Sequence, residues 1–306
     1  KKTNSLMEIF YYLIRLLFFY SLIYCLGTIV LNSLVLQTKN EFSKLFYRLF
    51  TGVFFIVCAG ALIVTGGKTV FSILILFVIA LYVKYASKKS LFLNLRTELK
   101  SGVKPFLIGL IPLLIVFSWK SYTMFSTETL SPVVINMDSL KQVIRASFLM
   151  TEGVETLDVN YLVVPTGLEP YHYFEAWLIG LGTKLTLGNG WLIEQLLIVP
   201  IVSAVLVSGL YSFLRKWNAP KILYLIGIVI VNFSPLYIKY LENISLMKYT
   251  EVFFINAFDE WKGVVVSMAY MPVMLFFNLL LVEKKTVLPF LVLLFLPIMS
   301  ITLAPG

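Results

Sequence analysis

Residues 191–214 read WLIEQLLIVPIVSAVLVSGLYSFL and are followed at once by Arg215-Lys216-Trp217. A run of this length and apolarity, closed by a basic cluster, has the pattern of a transmembrane helix ending at a membrane surface. Outward from it in both directions, similar apolar runs recur at Leu16–Leu36, Phe46–Val64, Thr69–Tyr85, Val103–Trp119, Ile222–Tyr237, Val264–Val282 and Val287–Leu303. Together they make about eight spans. The fold class they predict is all-α, a polytopic transmembrane helix bundle. The composition agrees: 59% hydrophobic residues, 13% charged residues and a mean hydropathy of +0.90 exclude a soluble globular domain, which needs a charged surface.

In a soluble chain a net charge of +9 would point to nucleic acid. Here the Lys and Arg residues gather between apolar runs, where they set topology, and no nucleic-acid partner is expected. The segment Lys84–Lys104 carries Lys88, Lys89, Arg96 and Lys100 against Glu98. The next loop carries Glu128, Asp138, Glu152, Glu155, Asp158 and Glu169 against Lys141 and Arg145. The first segment is therefore assigned to the cytoplasm, and the loop 120–190 and the N-terminus to the outside. Alternation then keeps Lys39, Lys44 and Arg48, Arg215, Lys216 and Lys221, and Lys284 and Lys285 inside. It requires Gly66-Gly67 to break the second run from the third as a tight hairpin. It also requires Pro170–Leu187 not to cross. Pro170, Lys184 and the flexible Gly188-Asn189-Gly190 predict a juxtamembrane helix along the outer interface. The run Leu16–Leu36 is too long for a signal-peptide core and reads as a span. A chain that starts at Lys1 and stops at Pro305-Gly306 just after an apolar run reads as a piece of something longer.

No phosphate-binding glycine loop, dinucleotide fingerprint, zinc-protease motif or nucleophile elbow is present. Cys25 and Cys58 sit inside apolar runs without metal-ligand spacing, so no metal centre or disulfide framework is expected. The apolar runs are nearly free of acids, which gives a proton-coupled carrier little support. The residue types that carry chemistry concentrate between Asn136 and Trp217. Asp138 precedes a helical pattern from Ser139 to Thr151, with Lys141 and Arg145 on roughly the same face. That set reads either as a base beside phosphate-binding cations or as a helix cap before a solvated charged face. Glu169, His172 and Glu175 follow at three-residue spacing, with the only histidine between two carboxylates. They read either as a phosphate or proton site or as part of an aromatic interfacial belt with Tyr171, Tyr173 and Trp177. Glu155 and Asp158 either hold a divalent cation, the one inorganic cofactor the loop suggests, or keep the loop soluble.

In order, Val103–Trp119, the acidic loop with Asp138, Pro170-Tyr-His-Tyr-Phe-Glu-Ala-Trp-Leu178, Gly188-Asn-Gly190 and the span ending in Arg215-Lys216-Trp217 resemble the N-terminal module of GT-C membrane glycosyltransferases. That class includes protein O-mannosyltransferases and lipid A aminoarabinose transferases. The resemblance divides the chain into a three-span segment, 1–102, and a module, 103–306, with juxtamembrane helices in its external loop 120–190. It implies a bacterial inner-membrane protein that transfers a sugar from a polyprenyl-phosphate donor to an acceptor on the external face. Asp138 would serve as base or acceptor positioner, with His172 and Glu175 beside it. Lys141, Arg145 and His172 would neutralise the donor phosphate, with Glu155, Asp158 and Glu169 lining the substrate. The module is preceded by three extra spans and lacks the family's paired Asp-Glu in this loop. The alternative is a transporter or flippase of lipid-linked saccharides, with no catalytic acid. In both readings the partners are membrane lipid and a lipid-linked sugar.

Overall fold

The computed structural model describes residues 2–33, 40–86, 91–125, 137–152, 173–228 and 271–284, and among them every regular element is a helix. In chain order these are α1 (Lys2–Ser33), α2 (Glu41–Ala86), α3 (Leu91–Phe125), α4 (Met137–Glu152), α5 (Tyr173–Thr186), α6 (Gly190–Ile193), a π segment (Glu194–Ile198) and α7 (Val199–Leu214). A short α8 (222–228) and α9 (Met271–Val282) follow.

Among the described residues four helices are long and apolar enough to cross a membrane: Leu6–Leu31, Glu41–Val64, Gly102–Tyr122 and Gly190–Trp217. The expected runs at 222–237 and 264–282 are described only over 222–228 and 271–282, and Val287–Leu303 lies outside the described residues. The first span starts well before Leu16, because Arg15 does not interrupt it. Its guanidinium lies over the rings of Tyr11 and Tyr12, 3.9 and 4.9 Å from their centroids, and donates to the Leu187 carbonyl at 2.8 Å. A charge satisfied this way does not have to end a helix. The expected break at Gly66-Gly67 also needs correction, since helical backbone runs unbroken from Glu41 to Ala86. Glycine weakens a helix by about 1 kcal/mol per residue. Leaving backbone groups unpaired in an apolar setting costs more.

The stretch Gly190–Trp217 is the centre of the bundle: from Trp191 to Ser212 every residue is buried except Gln195 and Leu210, which are half-buried. A helix apolar on all sides belongs out of water, in lipid or in a core, and here the other helices enclose it. Its start is capped by the Asn189 side chain, which accepts from the Trp191 amide at 3.0 Å. Pro200 has no N–H for the Leu196 carbonyl, and immediately before it the hydrogen-bond ladder widens into the π segment.

Paired contacts set the directions of the surrounding helices. Gly27 lies against Arg48, and Gly52 against Ile23, so α1 runs antiparallel to α2. Ser43 bonds Ser212 at 2.6 Å and Gly209 meets Phe46, so α7 is also antiparallel to α2. Tyr24 and Tyr20 donate to the carbonyls of Gly102 and Phe106, which sets α3 antiparallel to α1. Pro112 leaves the Ile108 carbonyl without its helical donor, and the Tyr224 hydroxyl supplies one at 3.1 Å. At the Glu41 end, Ser212 donates to Asn278, whose amide bonds the carbonyls of Gly209 and Met274, tying α9 to α7.

The helix expected over 170–187 forms as α5, whose 14 residues make a rod of roughly 21 Å, too short to cross. It does not lie on the surface of the bundle. Residues 174–182 are all buried, with Phe174 stacked on Phe54, Leu181 over Gly60 and Gly180 against Ala146 and Met150 of α4. Only its last turn is open, where Lys184, Leu185 and Leu187 are exposed. Leu187 takes a left-handed backbone, φ 55°, and is held by Arg15 while Tyr12 accepts from the Asn189 amide.

Candidate functional site

α5 enters the bundle with Glu175 in its first turn, at a position buried on every side. The side chain is 1% exposed, and neither carboxyl oxygen has a hydrogen-bond partner among the described residues. Two charged groups act on it: Glu194, the first residue of the π segment, and Arg145 of α4. α5 is not one of the four spanning helices. Burial foremost and the Glu194 charge second push the Glu175 carboxyl well above the usual carboxylate range, and Arg145 opposes them. Glu194 is fully buried. On the next residue, Gln195, the side-chain oxygen accepts from the buried Lys120 ammonium of α3 at 2.8 Å. Glu175, Glu194 and Arg145 thus come together from three elements near the end of the bundle where α4, α5 and the start of the central helix pack, with Lys120 of α3 held on the residue next to Glu194.

Such a pair of carboxyls suits proton transfer better than metal binding. Like charges in a low dielectric do not both ionise readily, so one acid tends to hold a proton. Among the described residues no third acid, His or Cys joins them as a metal ligand set.

Comparison with protein-family models, curated proteins and solved structures found no match.

Of the residues singled out in the sequence, the structure brings together Glu175 and Arg145. Asp138 and Lys141 lie in the first half of α4, which begins at Met137, one residue before Asp138. Asp138 is two turns before Arg145, so the two positions share a helix face. The side chains of Asp138 and Lys141 lie outside the described residues, as do Glu155, Asp158, Glu169 and His172 altogether.

Sequence reading missed Glu194, Lys120 and Gln195. The view that apolar runs are nearly free of acids also needs correction, because Glu194 stands inside the 28-residue span Gly190–Trp217. The signal was available: a carboxylate in an otherwise apolar run is costly and marks function by default. Lys120 was hidden by its place one residue after an apolar run, where a membrane-edge lysine is ordinary.

Proposed function

We propose that the chain is an integral membrane glycosyltransferase of the GT-C type. It transfers a sugar from a polyprenyl-phosphate donor to an acceptor at the end of the bundle where α4 and α5 pack, and that end faces the outside of a bacterial inner membrane. The observation that carries this reading is the docking of the two loop helices on each other and on the start of the central helix, with Arg145 acting on Glu175 from the face of α4 that also bears Asp138. A loop built into the bundle in this way can hold an acid and cations at fixed distances from a lipid phosphate lying in the membrane.

The orientation is supported by charge. Lys44, Arg48, Lys104, Arg215, Lys216, Lys221 and Lys284 all belong to the opposite end, where Lys104 pairs with Glu41 at 2.8 Å. The count of about eight spans rests on the apolar runs of the sequence, four of which are the described spanning helices.

The test is transfer by the reconstituted chain from short-chain polyprenyl-phosphate hexoses. Release of polyprenyl phosphate is expected, with Asp138→Asn slowing it by roughly 10²–10⁴-fold. Full transfer by a normally folded Asp138→Asn protein would reduce Asp138 to an acid in the first turn of α4. Labelling of a cysteine at position 96 from the outside would reverse the orientation. A second reading, transport of a lipid-linked saccharide, is favoured by the depth at which Glu175 and Glu194 are buried. Lipid-linked saccharide crossing proteoliposomes without release of polyprenyl phosphate would select it.

A further inference from the structure

We infer that Glu175 and Glu194 form a proton-binding site inside the bundle, in which Glu175 holds one proton at neutral pH. The site stands whether the chain transfers a sugar or transports one.

Glu175 is 1% exposed and its two oxygens are without a hydrogen-bond donor among the described residues. An ionised carboxylate buried in that condition is strongly disfavoured, and the ligand that cures it is a proton. Glu194 approaches from a different element, the π segment, where the extra residue in the turn re-aims a side chain that regular helix geometry would place elsewhere. Among the described residues the helices packed on α5 bring few other charges. α4 contributes Arg145, and α2 faces it with Phe54 and Gly60. α1 offers Arg15, but at the far end, bonded to the Leu187 carbonyl. Lys120 of α3 is engaged by Gln195, one residue along from Glu194. α5's own Lys184 is exposed at the opposite end of the helix. At Glu175 Arg145 opposes burial and the Glu194 charge, while Lys120 is engaged by Gln195. Burial and the neighbouring acid outweigh Arg145, and the balance favours the protonated form of Glu175. Release of the proton leaves a buried carboxylate where α5 docks on the central helix, so proton loss weakens that docking.

The experiment is infrared spectroscopy of the purified full chain in detergent, titrated with pH. A carbonyl band from a protonated carboxyl is expected at pH 7 and should be lost in Glu175→Gln. Glu194→Gln removes the repelling charge and should move the band's disappearance to lower pH. Arg145→Gln removes the opposing cation and should move it to higher pH. A purely structural role for these residues predicts neither movement. Should the variants fail to fold, the wild-type chain is treated with a hydrophobic carbodiimide, which attacks protonated carboxyls, and the adduct is mapped by mass spectrometry. An adduct at Glu175 is expected at pH 7, falling about tenfold per pH unit above its midpoint. The inference is overturned if the wild-type chain has no protonated-carboxyl band at pH 7, if Glu175→Gln leaves the band intact, or if no adduct forms at Glu175. It is equally overturned if sodium or calcium ions abolish the band at fixed pH, which would make the pair a cation site.

Discussion

The seam between α1 and α2 gives the sharpest test of the packing. A Cβ added to Gly27 would lie 1.7 Å from the Arg48 carbonyl oxygen and 2.7 Å from its carbon, and one added to Gly52 would lie 2.0 Å from the Ile23 oxygen. Carbon and carbonyl oxygen ordinarily approach no closer than about 3.3 Å. In Gly27→Ala the two backbones must therefore separate by roughly 1.5 Å. A gap of half that size already forfeits a quarter to a half of the dispersion between facing atoms. The seam carries Phe19, Ile23, Tyr24, Leu49, Val53 and Ile56, all buried, so the loss extends along both helices. Overpacking typically costs about 1–3 kcal/mol, and the upper end is expected for either glycine because the obstacle is backbone and does not rotate away. The double variant should cost less than the sum, since the helices need to part only once. Gly227→Ala is the control. The nearest atom to its added Cβ is a Val207 methyl at 3.9 Å, so the better helix propensity of alanine should stabilise by about 0.5–1 kcal/mol. Unfolding of the full chain by dodecyl sulfate, followed by circular dichroism, measures all of these. Gly27→Ala and Gly52→Ala unfolding at or beyond the wild-type midpoint would refute the close crossing.

Stability should also depend on pH through Glu175. Its folded carboxyl is raised above the ordinary value of 4.5, so its contribution is complete below that pH and is lost as pH rises toward the folded value. In this window stability should fall by up to about 1.4 kcal/mol per unit, and Glu175→Gln should flatten the slope. An unchanged slope in that variant would show that another group titrates. Tyr224→Phe should destabilise by about 1 kcal/mol, because the Ile108 carbonyl that Pro112 leaves open loses its donor. In Pro112→Ala, where the helix supplies that donor itself, the cost should shrink, and equal costs in a double-mutant cycle would dissociate the two residues.

Several features are legible in one dimension because hydrophobicity is local and additive. The central span is plain from residues 191–214, the α1 and α3 spans from their apolar runs, and the α5 helix from the pattern between Pro170 and Gly188. Basic clusters are equally local, which is why Arg215, Lys216 and Lys221 mark one end of the bundle without any knowledge of contacts. Other features depend on apposition. Arg15 reads as a boundary until two tyrosines and the Leu187 carbonyl are seen around it. Glu175 reads like its loop neighbours Glu155 and Glu169, and nothing in the order of residues says that it will be buried. It became part of a site because α5 docks on the central helix, Pro200 widens the turn that carries Glu194, and α4 brings Arg145 across from another segment. The energy of a carboxyl is set by the groups within a few ångströms of it, and here those groups sit on three separate elements whose docking brings them together, so tertiary structure decides its charge.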